Sequence, residues 1–239
     1  MRILLQLSLI FLTALPAWAG QLDIVIVSNG GLSSELGYSD QARFEADALR
    51  VMSYHMAREP YLSRSADIVW HTLWQSTSLG CKRSSTMSRL ITCNQESARL
   101  AVQAAGLPVE RGIILVNTTG YGGSGGTPFT VAYNGYTTSS DPLKVAFHEF
   151  GHTLGGLVDE YNLYPTNGTQ TNAWYGQCWK GVLAPTMPGT WVKGCYRPNF
   201  WRQKVGIGNS VMHSLNNPAF NPKSLELLNA RIDAWVNQP

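Results

Sequence analysis

The stretch that most restricts what this chain can become is a helix obliged to carry two histidines on one side. Ser140-Asp141-Pro142 offers a capping side chain followed by proline at the first helical position, where a missing N–H leaves no bond unmade. A helix is predicted from Leu143 to Leu154, and Gly155-Gly156 ends it. Inside it lies His148-Glu149-Phe150-Gly151-His152. Residues four apart on an α-helix differ by about 40° around its axis, so both imidazoles leave one face and can share a metal ion. Glu149 stands one step round, off the metal but within reach of a water it activates. Zn2+ suits the site best, because it accepts neutral imidazoles and, in catalytic sites, keeps three protein ligands and one open position. The plainer reading is two surface histidines beside a helical glutamate.

The flanking sequence supplies the frame. Leu22 to Ser28 is a β-branched apolar run closed by Asn29-Gly30-Gly31, a buried strand. Ser39 or Asp40 caps a helix to about Arg58, with Phe44, Ala48, Val51, Met52 and His55 on one face and Pro60 beyond its end. Asp67 to Ser76 reads as a second strand, Gly112 to Thr119 as a third, and Pro128 to Tyr133 as a short one. Thr92 with Gln95 forms a capping box for a helix to Ala105. The glycine run from Gly120 to Gly126 is no phosphate loop, since no lysine follows and no helix opens there. It permits close approach of backbone, such as an extended substrate along the sheet edge, or is a plain surface loop. Residues 157 to 210 show little periodicity, and Asn221-Pro222 opens a last helix to about Trp235. Alternating strands and helices followed by an irregular half predict one mixed α+β domain with a cleft.

Met1-Arg2, an apolar run of roughly 13 residues and Ala17-Trp18-Ala19 form a secretory leader, shorter than the about 20 residues a membrane span needs. Residues 1–19 are therefore expected to be removed and 20–239 to form the exported domain, secreted or periplasmic, with no membrane span. In that compartment Cys81, Cys93, Cys178 and Cys195 are expected as disulfides, the nearest-neighbour pairing being favoured by proximity alone. Without a C-x-x-C, a cysteine-ligated zinc is excluded. With 18 Lys or Arg against 15 Asp or Glu, the net charge of +3 is too small for a partner held by polyphosphate, so no nucleic acid is expected.

The run from His148 to Tyr161 resembles the metzincin zinc-peptidase pattern H-E-x-x-H-x-x-G-x-x-H, except that Val158 stands where the third histidine would be. If Gly155-Gly156 is a one-residue insertion in the turn, Asp159 becomes the third ligand, as in relatives with an aspartate there, and Glu160 is the alternative. Asn209-Ser210-Val211-Met212-His213-Ser214 is similar to the methionine turn of that clan, with Met212 packing beneath the ligands. Together with the upstream YGGSGG, the early FEADALRV with EPYLS, and CYRP downstream, the chain resembles the immunoglobulin-A-peptidase-like family of secreted bacterial metzincins. Tyr196 and Arg197 match a pattern in that family. The resemblance implies a single zincin-like endopeptidase domain for protein or peptide substrates, with His148 and His152 as ligands and Glu149 as general base.

Three further expectations follow. A substrate would pair with the strand at Phe129 to Tyr133, and Tyr161 or Tyr196 would either stabilise an oxyanion or serve structure. His55 and His71 read as core residues, and His213 could orient a ligand. Two rival functions use the same residues: a binding module with a closed structural zinc, or an amidase of cell-wall peptides. Oligomeric state has no signal here.

Overall fold

β1 (Leu22–Ser28) serves two cores with alternate side chains. Ile24 and Ile26 join one buried cluster, and Val25 and Val27 another on the opposite face. Burial on both faces is what a central strand of a parallel sheet requires, hence its unbroken apolar run. The computed structural model describes residues 20–31, 36–108, 110–135, 141–157, 159, 210–212 and 214–238.

Beyond β1 come α1 (Gln41–Met56), β2 (Ile68–Leu73), β3 (Lys82–Arg83), β4 (Ile91–Thr92), α2 (Gln95–Ala104) and β5 (Arg111–Val116). Then follow β6 (Gly123–Ser124), β7 (Phe129–Tyr133), α3 (Pro142–Gly155) and α4 (Pro222–Val236). The main sheet runs β2-β1-β5-β7-β6, parallel except for β6, which is antiparallel to β7. β3 and β4 form a separate antiparallel pair. The crossings from β1 to β2 and from β2 to β5 run in opposite directions along the sheet. A single handedness therefore puts their helices on opposite faces. Phe44, Ala48 and Val51 of α1 accordingly pack with Ile24 and Ile26, and Ala98 and Val102 of α2 with Val25 and Val27. α3 and α4 cover the α1 face, through Phe147, Phe150 and Leu154 and through Leu228 and Ile232. The result is the expected mixed α+β arrangement, closed by a C-terminal helix. No helix among the described residues is long and apolar enough to cross a membrane.

Several expectations change in detail. α2 is capped by Asn94, whose side chain accepts from the Glu96 and Ser97 amides, whereas Thr92 belongs to β4. Gln95 instead pairs with both backbone groups of Phe129, donating at 3.1 Å and accepting at 3.0 Å, and so ties α2 to the start of β7. The shorter asparagine reaches the first-turn amides, and the glutamine is better used across the fold. Of the two capping candidates for α1, Asp40 accepts from the Arg43 amide. Cys81 and Cys93 are joined, closing the β3–β4 hairpin, while Cys178 and Cys195 lie outside the described residues. His55 is fully buried among Tyr61, Trp70, Phe147 and Phe150, with ring centroids 5.1–5.7 Å away, and its Nδ1 donates to the Val51 carbonyl. His71 is not a core residue. It sits on edge strand β2, partly exposed, 2.6 Å from Asp23.

Candidate metal centre

The local sequence of α3 fixes where its histidines point. Asp141 accepts from the Leu143 amide, Pro142 begins the helix, and Gly156 ends it in the left-handed region at φ 61°. That turn sends the chain back over the helix end, so that the Leu157 carbonyl lies 2.6 Å from Nδ1 of His152. Two residues further on, Asp159 reaches the same face. On the other side the Val211 carbonyl lies 2.8 Å from Nδ1 of His148. A carbonyl only accepts, so each Nδ1 carries the proton and each Nε2 turns a lone pair inward.

Three acceptor atoms therefore converge. The two Nε2 atoms are 3.2 Å apart, and Asp159 Oδ1 lies 3.0 Å from that of His148 and 3.2 Å from that of His152. Oδ1 is buried and has no hydrogen-bond partner. Three lone pairs facing one another out of water repel unless a cation lies between them. Ligands about 2.0–2.1 Å from a tetrahedral zinc would be about 3.3 Å apart, so the triangle fits that ion. The group is the one among the described residues where three such side chains could hold a metal. Without an ion between them the imidazoles and the carboxylates perturb one another. Burial is the largest influence on His152 and would push its pKa down, but Asp159 and Glu149 outweigh it and push it up. Burial likewise opposes ionisation of Asp159, yet the two facing imidazoles hold its carboxyl well below the usual range.

Glu149 stands beside the triangle, its carboxylate 3.9 Å from Nε2 of His152. Burial, first of all, pushes its pKa up, while a hydrogen bond from the Gly125 amide pulls the other way. The glycine run is thus explained. A Cβ on Gly125 would lie 2.5 Å from Cβ of His152, and one on Gly123 would lie 3.3 Å from Cγ of Glu149. It is the helix that these glycines admit. Beneath the histidines Met212 is fully buried, its sulfur 3.0 Å from where a Cβ on Gly151 would stand.

The centre forms the floor of a cleft of about 740 Å³. One wall is the tip of the β3–β4 hairpin with Met87, Arg89 and Leu90, and the other includes Ser214 and Leu215. β7 is not the sheet edge: β5 pairs along one side of it and β6 covers Val131 and Ala132 on the other, so an added substrate strand would meet β6 there rather than β7. The exposed order of strands depends on non-local pairing, which a run of apolar residues does not encode. Glu160, Tyr161, Tyr196, Arg197 and His213 lie outside the described residues.

A family model described as IgA Peptidase M64 matches residues 13–176, more than half of the chain and all of the segment from the glycine run to Asp159. The chain belongs to the IgA Peptidase M64 family. M64 is a peptidase family whose members use a metal, in keeping with the cluster at the cleft floor. No curated protein matches this M64 chain. Sequence reasoning missed four contributors to the site in this M64 member. The carbonyls of Leu157 and Val211 and the amide of Gly125 are backbone groups that any residue could present, and Arg89 lay in a loop without periodicity.

Proposed function

We propose that the chain is an exported zinc-dependent endopeptidase of protein or peptide substrates, in which His148, His152 and Asp159 hold the ion and Glu149 is the general base. The reading rests most on the convergence of three lone pairs within 3.2 Å of one another, at the floor of an open cleft and next to a buried carboxylate. Zinc held there supplies Lewis acidity toward a carbonyl and lowers the pKa of water to about 7. Glu149 takes a proton from the attacking water onto a carboxylate oxygen as the new C–O bond forms, then delivers it to the amine nitrogen as the C–N bond breaks. Its burial strengthens it as a base. An uncommitted base beside an open site favours hydrolysis over a purely structural zinc. The leader at residues 1–19 and the oxidised Cys81–Cys93 pair support export.

Cleavage of an unstructured protein such as casein tests the reading, with zinc content measured alongside. Chelation should abolish cleavage. Glu149→Gln should keep the zinc and lose roughly 10²–10⁴-fold in rate. Full cleavage by the zinc-loaded variant would remove Glu149 from the mechanism.

A further inference from the structure

Arg89 is the sole lysine or arginine among the described residues lining the cleft, and no described carboxylate lies within ion-pair distance of it. At the cleft floor Asp159 faces the two histidines at 3.0 and 3.2 Å, and Glu149 stands 3.9 Å from His152. The backbone around Arg89 is held on both sides. Its own carbonyl accepts from the Gly123 amide at 3.0 Å, and Leu90 bridges to Gly123. The preceding carbonyl, of Ser88, accepts from the Arg83 guanidinium at 2.8 Å, and the same nitrogen donates to the Tyr121 carbonyl at 3.1 Å. Arg83 also donates to the Gly120 carbonyl and the Thr118 hydroxyl, and the Cys81–Cys93 bond closes the base of the hairpin. The hairpin tip and the Tyr121 turn are thus one rigid wall, attached to Gly123, which packs against the Glu149 side chain. Tyr121 lines the same cleft, T-shaped against Tyr133; burial and then the Glu149 charge push the pKa of its phenol up, and the Arg89 charge opposes them. A cation and a phenol on a fixed wall, near the catalytic carboxylate, match a carboxylate that arrives with the substrate.

We propose that Arg89, with Tyr121, forms a carboxylate-binding subsite, so that the peptidase selects peptides presenting a carboxylate to the hairpin wall of the cleft. The inference rests on the peptidase reading above. The carboxylate comes either from an Asp or Glu side chain near the scissile bond or from a free chain end. Arg89 is then a specificity residue, and the readout is a ratio of kcat/KM values.

The zinc-loaded protein is given matched peptides that differ only by Glu or Gln at each position flanking the cut, each with a free or an amidated C-terminus. One carboxylate-bearing series should be cleaved about tenfold faster than its neutral match. A preference that survives amidation assigns the side chain as its source, one that vanishes assigns the chain end, and both support the subsite. The ratio should fall toward one in Arg89→Gln, persist in part in Arg89→Lys, and invert in Arg89→Glu, which should favour Gln over Glu. Equal cleavage of every pair by the wild type, or a preference undiminished in Arg89→Gln, overturns the subsite while leaving the peptidase intact. Cleavage of no peptide at all overturns the parent reading and the subsite with it.

Discussion

A Cβ added at Gly125 would meet the His152 side chain at 2.5–2.9 Å, nearer than such atoms approach in folded proteins. Either the loop or the ligand must move. The loop is restrained, because Gly126 is bonded through both backbone groups to the Thr153 hydroxyl. Gly125→Ala should therefore displace His152 and weaken zinc binding by about 10–100-fold, the usual effect of disturbing what orients a ligating histidine. Competition with a chelator of known affinity measures it, and an unchanged affinity would show that the loop yields instead. At this scale the sequence was informative where spacing alone sets geometry. His148, Glu149 and His152 follow from a four-residue step on a helix. Spacing alone does not decide between Asp159 and Glu160, because Gly155-Gly156 leaves the turn length open by one residue. The conformation at Gly156 and the return of Leu157 over the helix end are what bring Asp159 to the same face.

Between elements, the α1–α3 contact supports the metal-bearing helix from behind. His55 of α1 lies in an aromatic cage with Phe147 and Phe150 of α3, and its Nε2 has no partner. Burial lowers its pKa from 6.5 to about 4, the Val51 carbonyl opposing and Arg58 assisting. In the unfolded chain it protonates near pH 6.5, and in the folded chain only near pH 4. Stability is thus unaffected by His55 above about pH 6.5, declines as pH falls from there, and levels off below about 4. The total loss is about 3 kcal/mol. Urea denaturation across this range should show the decline, and the difference in slope between wild type and His55→Met isolates it from the carboxylates. Parallel slopes would mean that the imidazole gains a proton in place. Periodicity located α1 and put His55 inward, while the cap at Asp141-Pro142 and the glycines 155 and 156 located α3. It misassigned the cap of α2, because Thr92 and Asn94 both precede the helix and only the sheet-bound Gln95 decides between them. It also left β7 with a free edge, since the two-residue β6 is too short to announce itself as a strand.

Across the whole molecule, the cleft exists because three separate pieces meet over α3: the disulfide-closed hairpin, the glycine loop with β6, and the segment carrying Val211 and Met212. The last piece follows Asp159 by about fifty positions, and only folding brings the Val211 carbonyl to His148. Family membership adds peptidase activity and a metal to that geometry. The central claim is that His148, His152 and Asp159 together hold zinc, and zinc titration of the purified protein tests it most directly. Wild type and Glu160→Ala should each bind about one zinc tightly, and Asp159→Ala should bind it far more weakly, because a catalytic zinc depends on three protein ligands. Tight binding retained in Asp159→Ala and lost in Glu160→Ala would contradict the ligand set, and a wild-type chain that takes up no zinc would contradict the account as a whole.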